Sequence, residues 1–196
     1  SVAQSLFSYG LITYHRTDSV RVESDKVKKL REKVEKMYGK TYLSNSVRDW
    51  KNKDASQDAH EAIRPTFDST PTNMLNDEKK LLKLIIDRFK ASQMQDAVIE
   101  KTTIEVEATN GNDIYILIAT GDVISFDGFL KVYGNKKDDV ILPSVKTSQT
   151  LNLNSVNNKK HSTKAPSRFT DASLVKKLEK EGVGRPSTYA SIIDTL

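Results

Sequence analysis

Several absences in the 196-residue sequence narrow what the protein can be. There is no cysteine, which excludes disulfide bonds and cysteine-based zinc sites in this chain. No apolar run approaches the roughly 20 residues that a membrane-spanning helix needs. No secretory signal opens the chain, and its first residue is serine and not methionine. We therefore expect an internal piece of a longer protein.

Charge of one sign is only in modest excess. Lysine and arginine number 31 against 26 acidic residues, which gives a net charge of +5 and a pI near 9.2. This balance permits an anionic partner without establishing one. The hydrophobic content of 37% and charged content of 29% are typical of a soluble globular protein. The length is sufficient for one or two domains with a core.

One tyrosine lies in a short ordered segment near the start of the chain. Val2, Leu6 and Phe7 suggest a helix that ends at Gly10. The apolar run after Gly10 ends at Tyr14, and Arg16 follows two residues later. A phenol is a weak nucleophile because its ordinary pKa is about 10, and a guanidinium favours the phenolate and neutralises an attacked phosphate. Tyr14 and Arg16 are thus a candidate pair for phosphoryl transfer. An ordinary buried tyrosine beside a surface arginine is the open alternative.

A histidine and an arginine four residues apart form a second candidate. His60 and Arg64 would share one face of a helical turn, and Pro65 ends that turn. Together they can bind a phosphate, and the imidazole adds a group that titrates near neutrality. A helix terminus with an incidental histidine is the alternative from spacing alone.

A third candidate lies near the end of the chain. Thr170 is predicted to cap a helix that ends at Gly182, and a second helix opens after Arg185. A helix N-terminus carrying Ser187 and Thr188 favours an anion, and the guanidinium adds a charged donor. A helix–turn–helix corner is the alternative.

Two amphipathic helices are predicted between these candidates. Ser24 is expected to cap a helix that ends at Gly39, and Asn76 or Asp77 to cap a second one over 77–94. The first carries a basic run that we interpret as a solvated face in preference to a track for DNA. Its members are Lys26, Lys28, Lys29, Arg31, Lys33 and Lys36.

Short strands separated by turn residues are predicted from residue 98 onward. Segments 103–108 and 114–119 are expected to pair through a type I′ turn at Asn110-Gly111. Further turns are predicted at Gly121-Asp122 and Asp127-Gly128. Additional strands are predicted at 123–126, 129–133, 140–142 and 150–153. This spacing predicts an antiparallel sheet or a small barrel.

Three segments resemble motifs of the type IA DNA topoisomerases, in the order in which that family has them. They are residues 12–19, 57–66 and 166–190. The resemblance implies that Tyr14 attacks a DNA phosphodiester and holds the 5′ phosphate as a covalent phosphotyrosine. It implies that Arg16 stabilises that phosphate. His15 occupies a position that varies in the family and receives no role.

The same resemblance implies a set of DNA-binding residues. His60 and Arg64 would lie beside DNA phosphates near the break. Three residues of the last motif would contact the backbone of the single-stranded segment: Arg185, Ser187 and Thr188. Glu61, inside the second motif, is interpreted as structural.

The resemblance also implies the architecture. We expect an α+β chain with a helical tyrosine domain over 1–97, a β-rich arch over 98–163 and the start of a helical DNA-binding domain over 164–196. In the family, a separate Toprim domain holds magnesium through an Asp-x-Asp-x-Glu cluster, and this sequence has no such pattern. We therefore expect the Mg²⁺ ligands to lie outside the chain and no cofactor to bind within it. Alone, it should bind and cleave DNA poorly or not at all.

The implied function is relaxation of negatively supercoiled DNA by single-strand cleavage, strand passage and religation, without ATP. The partners would be the single-stranded segment of that DNA and the missing Toprim domain, in a monomeric, cytoplasmic and nucleoid-associated enzyme. Residues 126–132 resemble the bacterial topoisomerase I branch. Two alternatives stay open: the topoisomerase half of a reverse gyrase, and a non-catalytic nucleic-acid-binding or scaffold module of the same fold.

Overall fold

The computed structural model describes residues 1–52, 60–66, 73–134 and 138–196. Residues 57–59, the first part of the second motif, lie outside the described residues. The chain forms two compact units, Ser1–Val140 and Ile141–Leu196, and each is described by itself. The three-domain division expected from the sequence stays a prediction. Within the described ranges, no helix combines the length and apolar character needed to cross a bilayer.

Three helices form the body of the first unit: α1 (Val2–Ser8), α2 (Ser24–Tyr38) and α3 (Asn76–Ser92). A 3-10 turn at Lys40–Tyr42 follows α2. The glycines expected to end α1 and α2 do so, with φ angles of +69° at Gly10 and +91° at Gly39. Both lie in the left-handed region that glycine adopts without strain.

The predicted N-caps of α2 and α3 are each displaced. The capping position of α2 is Glu23 and not Ser24, and the Glu23 amide donates to the distant Glu61 carboxylate at 2.9 Å. At α3 the capping position is Leu75 and not Asn76 or Asp77. The Leu75 amide donates to the Glu78 carboxylate, at 2.8 Å. At both helices, a carboxylate thus accepts from the amide of the capping residue.

Two apolar clusters form the core of this unit. The first joins the segment that precedes Tyr14 to α3 and consists of Leu6, Leu11, Ile12 and Met74, with Leu81, Leu82 and Ile85 packed against it. The second joins α2 to the end of α3 and consists of Leu30, Val34, Phe89 and Met94. The apolar face of the predicted amphipathic helix α3 thus packs into the core.

A long hairpin extends from this body. Strand β1 (Val98–Asn110) pairs antiparallel with β2 (Asp113–Phe126), from Asn110 opposite Asp113 to Val98 opposite Phe126. The hairpin turn lies one residue later than predicted. Gly111 and Asn112 connect the strands, and of these two only Gly111 has positive φ, at +62°, so the type I′ turn predicted at Asn110-Gly111 is wrong. The turn predicted at Gly121-Asp122 is wrong, because both residues pair with β1, opposite Thr102 and Lys101.

The barrel prediction is also wrong, although the α+β class is confirmed. Residues predicted as a strand after Gly128 form a short helix, α4 (Leu130–Tyr133). Within the described residues, 140–142 and 150–153 are not strands, and the sheet has two strands. The Val140 amide donates to the Asp122 carbonyl of β2 at 2.9 Å, and the neighbouring Asp139 carboxylate accepts from the Ile124 amide at 3.0 Å. Strand-like sequence without a pairing partner does not form a sheet.

The second unit contains α5 (Asp171–Lys180) and α6 (Tyr189–Thr195). The hydroxyl of Thr170 accepts from the Ser173 amide at 3.3 Å, which confirms the predicted cap. Gly182 follows α5 with φ +69° and reverses the chain.

Candidate active site

The first two motifs meet through a short antiparallel pairing. Ile12 forms a bridge with Pro65, and both side chains are fully buried. The Thr13 amide donates to the Arg64 carbonyl at 3.0 Å, and the Thr66 amide donates to the Leu11 carbonyl at 3.0 Å. We call this pairing, residues 10–13 with 62–66, the tyrosine clamp. It fixes the backbone immediately before Tyr14.

Thr13 fastens the clamp through its side chain, a role that the sequence analysis missed. Its hydroxyl donates to the Ala62 carbonyl at 2.8 Å and accepts from the Arg64 amide at 2.9 Å. The Thr66 hydroxyl donates to the Gly10 carbonyl at 2.6 Å. These bonds cross some fifty positions of sequence, so no local pattern could have indicated them.

Tyr14 emerges from the clamp with its ring 37% exposed. It packs against Phe7 at a centroid distance of 5.4 Å and an interplanar angle of 73°, an edge-to-face contact. The His60 ring lies 5.1 Å away and the His15 ring 5.6 Å away. The structure therefore brings Tyr14 and His60 together. It also adds Phe7, which the sequence analysis had placed only in a helix.

The two imidazoles present one edge to the protein. The Nδ1 atoms of His15 and His60 are buried, and neither has a hydrogen-bond partner among the described residues. Burial, and then the nearby Arg16 guanidinium, lower the pKa of His15 below its ordinary 6.5. This lowered pKa favours the neutral form of His15. Arg16 is exposed and forms no ion pair with another described residue, so its charge is available to an anion.

Arg64 is placed differently from Arg16. It is only 7% exposed, and its guanidinium donates to the Glu61 carboxylate from Nη2 at 2.7 Å and from Nε at 3.1 Å. Nη1 donates to the Pro65 carbonyl at 3.3 Å. Glu61 in turn accepts from the Glu23 amide. The pair thus ties the clamp to the start of α2, which agrees with the structural interpretation of Glu61, while the DNA contact expected of Arg64 stays a prediction.

The motif and its geometry agree with comparisons to known proteins. A model of the DNA topoisomerase family matches residues 1–196, the whole chain. DNA topoisomerase 1 of Vibrio cholerae is 45% identical over an alignment of 202 residues that covers 100% of this chain. The chain belongs to the type IA DNA topoisomerase family.

Other topoisomerases agree in sequence and in structure. DNA topoisomerase 1 of Helicobacter pylori is 40% identical over 211 aligned residues, again covering 100% of this chain. The full-length topoisomerase I structure from Thermotoga maritima is similar with a TM-score of 0.72 and 30% identity, over 100% of this chain and 33% of that one. The chain spans 22% of the Vibrio relative and 28% of the Helicobacter one.

The third topoisomerase motif lies in the second unit and brings its three candidates into one short segment. The Arg185 amide donates to the Thr188 hydroxyl at 2.9 Å, and that hydroxyl donates back to the Arg185 carbonyl at 3.1 Å. Thr188 is the residue before α6, as predicted, and Ser187 beside it is exposed. The side chain of Arg185 is exposed as well. Contact with DNA phosphates stays a prediction.

The residues present do not fit the magnesium site implied by the topoisomerase resemblance. Magnesium prefers several carboxylate and water oxygens around one point. In the part of the chain that the structure describes, no group of three or more acidic, histidine or cysteine side chains is gathered for a metal.

Proposed function

We propose that this chain supplies the nucleophile of a type IA topoisomerase, with Tyr14 as the attacking residue. The observation that carries the proposal is the tyrosine clamp. It joins the tyrosine motif to the histidine–arginine motif and holds a partly exposed Tyr14 ring beside His60. A rigid backbone before the nucleophile favours catalysis, because the reacting oxygen needs little further ordering.

The proposed step is a transesterification. The Tyr14 Oη attacks a DNA phosphorus, a bond forms between them, and the bond from phosphorus to the 3′ oxygen breaks. The phenolic proton is given up and the departing 3′ oxygen gains one, so the step is balanced without water or ATP. The 5′ phosphate remains on the tyrosine, and attack by the 3′ hydroxyl reverses the reaction.

We assign roles to the neighbours of Tyr14 from their placement. Arg16, exposed and two residues away, would neutralise charge on the attacked phosphate. His60, which packs on the Tyr14 ring, would lie beside the same phosphate. Arg64 would hold the clamp through its buried pair with Glu61. Arg185, Ser187 and Thr188 would contact the backbone of the strand elsewhere.

The whole protein, in this proposal, relaxes negatively supercoiled DNA by cleavage of one strand, passage and religation. Its Mg²⁺ ligands would lie in a Toprim domain outside this chain. The chain alone would then cleave DNA poorly or not at all, since charge stabilisation supplies much of the rate of phosphoryl transfer.

Adduct formation tests the proposal. The chain is mixed with a separately expressed Toprim piece, Mg²⁺ and a 3′-labelled single-stranded oligonucleotide, trapped with denaturant and run on a denaturing gel. We expect a labelled protein band that is absent with Tyr14→Phe and absent without the Toprim piece. No band from two folded, associated pieces would instead favour the non-catalytic binding module. Robust cleavage by the chain alone would contradict the predicted division of the site.

A further inference from the structure

A cavity of about 270 Å³ opens on the first unit behind the tyrosine clamp. One wall comes from Ala62 and Ile63 of the clamp, and another from Ser19 and Val20, which follow the tyrosine motif. The loop that carries Trp50 closes a third side. None of these residues contributes to the proposed reaction at Tyr14, so the cavity has no role assigned above.

The cavity has an apolar floor and an exposed aromatic rim. Val27 and Phe89 form the floor and are buried. Trp50 at the rim is 44% exposed, and Ile63 and Val20 beside it are exposed to a similar degree. Large apolar side chains gathered around one opening indicate a binding surface and not a packing defect. The volume is at the small end of ligand pockets, which suits a single planar ring system.

Some polar side chains of the cavity already form hydrogen bonds within the protein, and others form none with the residues that the structure describes. The Arg48 guanidinium donates to the Asp96 carboxylate at 2.9 Å. The Gln93 amide is satisfied by the Arg48 backbone, donating to its carbonyl at 2.7 Å and accepting from its amide at 3.2 Å. Arg88 is exposed and forms no ion pair with another described residue. Arg88 is thus the group in the lining that can attract a phosphate, whereas the exposed Asp49 carboxylate, which lines the same cavity as Arg88 and Trp50, would repel one.

The Trp50 loop is held in place before any ligand arrives. The side-chain amide oxygen Oδ1 of Asn52 accepts from the Ser19 hydroxyl at 3.1 Å and from the Val20 amide at 2.8 Å. Ala62, in the opposite wall, is the residue whose carbonyl accepts the Thr13 hydroxyl. Cavity and clamp thus share a framework, and a group bound in the cavity would be positioned relative to the Tyr14 segment.

We propose that this cavity takes one unstacked base of single-stranded DNA, stacked on Trp50, with its phosphate near Arg88. An aromatic plane on an apolar floor beside a cation is the combination that binds single-stranded nucleic acid regardless of sequence. The inference rests on the proposed function, because it presumes that a DNA strand crosses the clamp. It adds a base-holding site away from the reacting phosphate.

The chain contains one tryptophan, so its fluorescence reports on the cavity directly. We would titrate the chain at low ionic strength with a short oligothymidine and with an abasic oligonucleotide of the same length and charge. Saturable quenching by the first, at the weak affinity expected of the chain alone, with binding of the abasic strand roughly 5- to 150-fold weaker, is the expected result. Equal binding of both strands, or no quenching up to millimolar oligonucleotide, would overturn the proposal.

Variants separate stacking from charge and from folding. With a labelled oligothymidine followed by anisotropy, Trp50→Ala should lose the preference over the abasic strand, and Trp50→Phe should keep most of it. Arg88→Gln should weaken the binding of both oligonucleotides and should reduce by about 1 the slope of log affinity against log salt concentration. Lys79→Gln on the same helix should change neither quantity. An unchanged preference in a folded Trp50→Ala variant would contradict the assignment.

The two proposals fail in different ways. Tyr14→Phe should abolish the covalent adduct and leave the quenching of Trp50 unchanged. Quenching in the wild-type chain, without any adduct when the Toprim piece and Mg²⁺ are added, would retain the base site and reject the nucleophile. An adduct formed with no preference for bases over the abasic strand would retain the nucleophile and reject the base site.

Discussion

Extended segments pair in two places in the first unit, and the two pairings are stabilised in opposite ways. The tyrosine clamp has a single bridge, but the Ile12 and Pro65 side chains in it are fully buried. The hairpin has strands of 13 and 14 residues, yet all five consecutive apolar residues at 114–118 are more than half exposed. Buried side chains, and not the number of backbone bonds, therefore make the clamp the firmer of the two.

The largest expected effect comes from breaking the ion pair under the clamp. Arg64→Ala leaves the largely buried Glu61 carboxylate, whose side chain is 15% exposed, without its cation, so the free energy of unfolding should fall by about 3–5 kcal/mol. Urea denaturation followed by circular dichroism measures it. Lys80→Ala, which removes an exposed pair with Asp77, is the control and should cost under about 0.5 kcal/mol. A loss below about 1 kcal/mol for Arg64→Ala would mean that the pair does not hold the clamp.

The same substitution in both pairings compares them directly. Ile12→Ala empties a fully buried site and should cost about 2–5 kcal/mol, whereas Ile116→Ala removes an exposed side chain and should cost under about 1 kcal/mol. Both variants are measured in the same urea series. Similar losses at the two positions would contradict the contrast between clamp and hairpin.

One glycine at the base of the hairpin is tightly constrained by the backbone around it. Gly128 has φ +47°, and a Cβ there would lie 2.5 Å from the Asp96 carbonyl oxygen. Gly128→Ala should therefore lower the unfolding free energy by roughly 1–3 kcal/mol. Gly111→Ala at the tip also requires positive φ but meets open space, so its loss should be smaller. Thermal unfolding of both variants measures the two losses. A larger loss for Gly111→Ala than for Gly128→Ala would contradict this prediction.

Thr13 offers a finer test of the clamp. Thr13→Val keeps the shape but leaves the Ala62 carbonyl and the Arg64 amide unbonded, at a cost of about 1–2 kcal/mol. Thr13→Ser retains the hydroxyl and should recover most of that stability. If serine and valine destabilise equally, the hydroxyl is not what fastens the clamp.

The smallest effect concerns pH at the edge of the clamp. Because the pKa of His15 is lowered in the folded protein, unfolding takes up a proton as the pH falls below about 6.5. The contribution of His15 to stability is thus complete above pH 6.5 and is lost as the pH falls toward its folded pKa. The difference in unfolding free energy between wild type and His15→Gln should shrink from pH 8 to pH 5. An NMR titration that places the midpoint of His15 above 6.5 would contradict this.

Local chemistry was readable from the sequence, and distant contacts were not. Four features each depend on one residue and its neighbours. They are the helix ends at Gly10 and Gly39, the presence of a turn at Gly111 and the cap at Thr170. The cap of α2 lies at Glu23 and not at Ser24, and the Glu23 amide donates to Glu61 across 38 positions. Gly121 looked like a turn but is paired within β2.

The site shows the same division. The motifs indicated Tyr14 and His60 as candidates, and the structure brings their rings together. Three contacts depend on which segments pack side by side. They are the edge-to-face contact of Phe7, the hydrogen bond from the Thr13 hydroxyl and the ion pair between Arg64 and Glu61. Such contacts have no signature in a single sequence, because each partner taken alone is an ordinary residue.

Locating the covalent bond tests the central claim most directly. After trapping with the Toprim piece, the adduct is digested with nuclease and protease, and the modified peptide is sequenced by mass spectrometry. Tyr9 is the natural internal control, since it is 50% exposed and only five positions away. We predict the nucleotide on Tyr14 alone. A nucleotide on Tyr9, or on any other residue, would contradict the assignment of Tyr14 as the nucleophile.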